Sequence, residues 1–198
     1  MDREKDETIL TELRKTFKKV KDSSVKAGLA ISLGLIKDKD SAGALRDIVV
    51  KGKNPATRGY AALALGMMNQ KETIPEIQKV VRKEKRKSDL LRQASIGLGL
   101  MGDKTAVPLL LELLKEASSD FLRGSITMAV GYIGDRQAID PLIDLMNSEK
   151  AQILTRAFSG VALGIIGESE AVPVLSRIST DINYRTQIDS IREVLDIL

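Results

Sequence analysis

An all-α solenoid, a stack of about six helix pairs, is the fold this sequence predicts, and three observations carry that prediction. Gly34, Gly66, Gly99, Gly131 and Gly164 recur inside apolar runs at intervals of 32, 33, 32 and 33 residues, and a fixed period of that length marks one supersecondary unit stacked on copies of itself. Four of the five prolines, Pro75, Pro108, Pro141 and Pro173, fall at one place in the same period, where a helix starts and a missing N–H costs least. Hydrophobic residues make up 43% of the 198, yet aromatic ones only 3%, so the core is aliphatic and small, which suits closely packed helices.

The first unit opens on a proline-type helix near residues 7–13 that lacks its proline, and continues into a glycine-type segment, 25–36. Later copies of that segment are 56–68, 90–101, 121–133 and 153–166, each a basic residue, then small and apolar residues, then Leu-Gly or Val-Gly. They are too long for typical strands and rich in Ala, Leu and Met, hence helices. A turn follows in Met101-Gly102-Asp103, Ile133-Gly134-Asp135 and Ile166-Gly167-Glu168. The glycine suits a left-handed position after a helix, and the carboxylate suits the open amides of the next. Asn69 fills the glycine slot in one copy; Lys37 fits it less well.

Proline-type helices come next, near Pro75, Pro108, Pro141 and Pro173. In the first of these Ile74, Ile77, Val80 and Val81 share one face, with Lys79, Arg82 and Lys83 opposite. Pro55, behind Asn54 as cap, opens a glycine helix. Residues 184–197 close the array as a last glycine-type helix with Glu193 in the glycine slot. The expectation is twelve helices in a single array of six units, 4–37, 38–69, 70–102, 103–134, 135–167 and 168–198.

Those residues carry a likeness. The proline helix, the short turn and the Arg…Ala…Ala-Leu-Gly helix, as in Arg58 to Gly66 and Arg156 to Gly164, resemble the short HEAT-like repeat of phycobilisome lyase-related proteins over nearly the whole chain. Ankyrin and tetratricopeptide repeats fit badly, since their His and Trp signatures are missing. The resemblance implies a right-handed superhelix with proline helices on the convex side and glycine helices lining the concave side. In longer HEAT repeats an Asp before the Arg joins a ladder between units. Asp22, Asp89 and Asp120 are the counterparts here, and the Arg58 and Arg156 copies have none at that spacing.

Composition closes several functional classes. The chain has no Cys and no His, which removes disulfides, thiolate chemistry, the commonest general base and the commonest transition-metal ligand. HEAT-like hydroxylases rely on His-Glu pairs, and HEAT-like glycosylases on concave Trp, Asp and Arg; neither set is present. No phosphate loop appears, and Asp140 and Asp144, one turn apart, read as a solvated helix face. The expectation is a protein that is not an enzyme and carries no cofactor. No signal peptide or spanning run is visible, so a cytoplasmic location is the default, provided the chain is not a fragment lacking an upstream signal.

The functional expectation is therefore a surface. Counting along each glycine helix from its basic residue, the positions expected to face the concavity are almost all apolar. Tyr60, Leu63, Met67, Ile96, Met128, Tyr132 and Phe158 form the predicted contact core, with Arg92 and Gln93 giving polar orientation midway. The partner expected is another protein or peptide, in particular an amphipathic helix read as anchors in a groove; a second copy of the chain is an alternative occupant. Two other readings stay open. Residues 1–90 hold 21 Lys/Arg against 13 Asp/Glu, and a basic patch of Lys79, Arg82, Lys83, Lys85, Arg86 and Lys87 suits nucleic acid or an anionic membrane surface. Without interleaved aromatics, nucleic acid is the weaker expectation. The other is bilin lyase-like tetrapyrrole binding in the apolar groove. The basic row Lys26, Arg58, Arg123, Arg156 and Arg185, with Arg92 displaced by one position and Leu91 in its slot, is expected to be structural, bonded to carboxylates or to the carbonyl ends of preceding helices.

Overall fold

The computed structural model describes residues 3–84 and 86–169. The chain divides into two compact units, Met1–Ile166 and Gly167–Leu198. The second lies almost wholly outside the described residues, and with it the expected sixth repeat, Pro173, the 184–197 helix, Arg185 and Glu193. Ten α-helices and no strands occur among the described residues: α1 (Arg3–Lys19), α2 (Ser23–Ile36), α3 (Ala42–Lys51), α4 (Pro55–Met67), α5 (Ile74–Lys83), α6 (Ser88–Met101), α7 (Val107–Glu116), α8 (Asp120–Ile133), α9 (Ile139–Asn147) and α10 (Ile153–Ser169). The fold is an all-α solenoid.

Within the first unit the even-numbered glycine helices form one layer and the odd-numbered helices the other. Between them lies one aliphatic core, including Leu33, Leu45, Leu65, Ile77, Leu98, Leu110, Ile126 and Leu142. The two layers pack differently. Consecutive glycine helices α2, α4, α6 and α8 press closely on one another, whereas α3 touches α5 lightly. The repeated glycines are the reason. A β-carbon on Gly34 would lie 2.9 Å from Cα of Ala64, on Gly66 2.5 Å from the carbonyl oxygen of Gly97, on Gly99 2.7 Å from Cα of Ala129, and on Gly131 2.9 Å from Cα of Ala162. Each repeat glycine thus meets the residue two places before the next one. Among the described residues, nothing lies within 4 Å of such an atom on Gly164.

The turns follow the sequence expectation with two amendments. Gly102 and Gly134 have φ of 66° and 69°, and Asn69 has 55°. Lys37 also takes the left-handed conformation, at φ 58°, a geometry that costs a residue with a β-carbon roughly 1–2 kcal/mol. Asp103 and Asp135 do accept amide bonds, at 2.8 Å from Thr105 and 2.9 Å from Gln137. The helix they cap is a single 3₁₀ turn (Lys104–Ala106, Arg136–Ala138) placed ahead of each α-helix, so Pro75 and Pro108 enter at the second position and Pro141 at the third. The first amendment is that inserted turn. The second concerns Gly167, which lies inside α10 and not at a left-handed stop; a glycine's helix penalty of only about 1 kcal/mol does not by itself end a helix.

The units are also tied by ions, though not by the Asp residues the HEAT resemblance points to. Asp22 caps α2 through the amides of Ser24 and Val25, Asp120 pairs with Arg123 of its own helix at 3.0 Å, and Asp89 forms no ion pair among the described residues. The links run instead from Arg14 to Asp38 and Asp40, from Arg46 to Glu76, and from Arg58 to Glu84. Asp38 is buried, accepts Arg14 Nε at 2.9 Å and the Ser41 hydroxyl, and the Arg14 bond holds its carboxyl below the ordinary value. A depressed carboxylate adds stability above its ordinary pKa of 3.8, and that stability is lost as pH falls through the depressed value. Asp38→Asn is accordingly expected to lower the melting temperature at neutral pH and to flatten its acid limb. Parallel curves for variant and parent down to pH 3 would contradict this assignment.

Candidate functional site

Each glycine helix turns one stripe of side chains away from the core, at spacings of three and four residues. At the position after the repeat glycine stand Leu35, Met67, Leu100, Tyr132 and Ile165; one turn earlier come Ile31, Leu63, Ile96, Met128 and Val161. Leu35 is 62% exposed, Leu100 42%, Tyr132 41% and Val161 41%; Ile31, Leu63, Met67, Ile96 and Ile165 are half-buried. An apolar row therefore crosses the C-terminal halves of the glycine helices. Burial pushes the Tyr132 phenol above its ordinary value, so that ring sits with one flank in the protein.

Two predicted contact residues take no part in the exposed row. Gln93 is 9% exposed and Met128 7%. For Gln93 the cause is a second set of glycines, seven places before the repeat glycines. A β-carbon on Gly59 would lie 3.1 Å from that of Gln93, and one on Gly124 would lie 2.9 Å from the Phe158 ring. Gln93 and Phe158 thus settle into gaps left by the preceding helix: Gln93 disappears, and Phe158 stays half-buried. Tyr60 does not settle so. It lines an open depression of about 420 Å³ with Ser23, Ala27, Gly28, Ile31 and Ala56, between the starts of α2 and α4.

Leu35, Leu100 and Val161 are exposed residues of this row that the predicted contact core omits. Their signal is positional: they occupy the same two repeat positions as Met67, Tyr132 and Leu63.

The basic row is structural. Arg58 is buried and donates from Nε to the Val49 carbonyl at 2.9 Å and from Nη1 to Glu84 at 3.0 Å. Arg156 Nε donates to the Met146 carbonyl at 2.8 Å. Both carbonyls belong to the last turn of the preceding helix, where orphan acceptors favour a cation. Lys26 finds the Phe17 ring instead, 5.6 Å from its centre. In the basic patch Lys79, Arg82, Lys83, Arg86 and Lys87 are exposed; Lys85 lies outside the described residues. Among those residues no group of three or more carboxylates stands ready to hold a metal, and no helix is long and apolar enough to cross a membrane.

Comparison with known proteins adds the family. HEAT repeats match over residues 44–131, from α3 into α8, and the PBS lyase HEAT-like repeat matches over residues 122–148. No curated protein matches the chain. HEAT repeats generally mediate protein interactions, and the family is generally non-catalytic. With the glycine period, the two helical layers and these matches in agreement, the chain is a HEAT-like repeat protein.

Proposed function

We propose that this protein is a non-catalytic scaffold that takes an amphipathic helical segment of another protein along the exposed row of its glycine helices. The observation supporting this is the row itself. Leu35, Leu100, Tyr132 and Val161 stand exposed at two adjacent positions of the repeat, with half-buried apolar residues between them. Contiguous apolar surface of more than a few hundred Å² is rare on a monomer and marks an interaction site. Parallel helices presenting apolar stripes leave grooves between them, which an amphipathic helix fills with anchors three and four residues apart.

The test is to replace Leu35 and Leu100 together by Asp. Both are exposed, so the helical signal and melting temperature should stay close to the parent's, while affinity for helical peptides selected on the parent chain falls by about 100-fold or more. Capture that survives the double change ends the proposal. Two other results would redirect it. A parent dimer that the change converts to monomer assigns the row to a second copy of the chain. Binding that instead disappears when Lys83, Arg86 and Lys87 are neutralised, with steep salt dependence, assigns function to the basic patch.

A further inference from the structure

Resting on that reading of the row, we propose that the bound segment carries an Asp or Glu side chain that pairs with Arg92, so that this guanidinium fixes the segment's register and chooses among apolar partners. Arg92 sits on α6, the middle one of the five described glycine helices. In the other four the equivalent slot holds Ala27, Gly59, Gly124 and Ala157. The fold therefore accommodates a small residue there, and the arginine is the exception.

Among the described residues it is also an arginine without a counter-charge. Its Nε is buried with no hydrogen-bond partner. Asp89, one turn earlier on the same helix, makes no ion pair with it, although Asp120 and Arg123 pair at the same three-residue spacing on α8, at 3.0 Å. The arginines of the basic row, one place earlier in the repeat, each have a defined acceptor among the described residues: Arg58 two of them, Arg123 its Asp, Arg156 a carbonyl. A buried, unpaired N–H on a charged group is destabilising, and covering it with an apolar ligand alone would deepen the penalty.

A carboxylate supplies the missing counter-charge. The guanidinium fork matches a carboxylate in two parallel bonds, shorter and stronger than neutral ones. Ile96 and Leu100 follow Arg92 at one and two further turns of α6. The complementary segment therefore carries an acidic residue with apolar residues three, four and seven places along the same face.

The test uses the full chain and a synthetic library of C-terminally amidated peptides of about 18 residues, roughly five helical turns. Amidation leaves side chains as the source of carboxylate. Retained peptides should carry an Asp or Glu beside apolar residues at helical spacing. Changing that residue to Asn or Gln should weaken binding about tenfold or more, and Arg92→Met should erase the difference. Arg92→Glu should prefer peptides with Lys at the same place. Retained peptides without a carboxylate, or an acid-over-amide preference unchanged in Arg92→Met, overturn the inference and leave the apolar row standing. No retained peptide, or retention by the Leu35/Leu100 Asp variant, sinks the underlying reading and this inference with it. Melting separates a structural role: Arg92→Met is expected to melt no lower than the parent, and a drop beyond about 3 °C would assign the arginine to the fold.

Discussion

Gly66→Ala is expected to destabilise the protein by about 3 kcal/mol or more, the upper end of what overpacking costs, seen as a fall of roughly 6–12 °C in melting temperature. The new methyl would lie 2.5 Å from the carbonyl oxygen and 2.6 Å from Cα of Gly97. Both are backbone atoms of a neighbouring helix, so no side chain can swing aside, and α4 and α6 must part along their length. Gly28→Ala supplies the contrast. It too lies inside a helix, but none of the described residues stands within 4 Å of its added carbon, so it should gain about 0.5–1 kcal/mol from helix propensity alone. Equal effects at the two sites would mean that the glycines serve backbone flexibility and not contact.

The second large effect is expected at Arg58. Its side chain is 11% exposed and satisfies both Glu84 and the Val49 carbonyl, and Gly52 leaves room for its stem, since a β-carbon there would lie 2.9 Å from Arg58 Cγ. Arg58→Ala leaves Glu84 without its counter-charge and the buried Val49 carbonyl without a donor, the latter alone for about 1–3 kcal/mol. Glu84→Gln separates the two. The Arg58 bond holds the Glu84 carboxyl below its ordinary value of 4.5, so the ion pair contributes above that pH and fades as pH falls through the depressed value. Glu84→Gln should thus cost stability at neutral pH and little in acid, whereas Arg58→Ala should remain costly in acid because the carbonyl is still stranded. Identical pH profiles for the two variants would overturn that division of roles.

Much of the fold is legible in the sequence because its cause is local and repeated. A glycine that recurs at one place in a helix signals close approach; Gly34, Gly66, Gly99 and Gly131 meet backbone as that logic requires, and Arg58 and Arg156 reach helix-end carbonyls as their place in the first turn suggests. What stays hidden depends on a neighbour thirty residues away. Nothing along the chain says that Gly59 lets Gln93 sink, or that Arg14 and not a copy of the row claims Asp38. The exposed face is half legible for the same reason. Its two positions can be read off the period, yet Met128 and Val161 occupy the same one, and Met128 is buried while Val161 is exposed. The 3₁₀ turn before each proline helix is invisible to helix-start rules, because Asp103 caps whichever amides come first.

The unequal packing of the two layers has a mechanical consequence. Along the glycine side, backbone rests on backbone and leaves nothing to compress or stretch; along the proline side, neighbours meet lightly and are held in part by flexible surface ion pairs such as Arg46–Glu76. Under load such an array yields at its back while its spine keeps a constant pitch. Rungs along the glycine side thus stay at set intervals however the array flexes, which makes that side a ruler and the opposite side a spring.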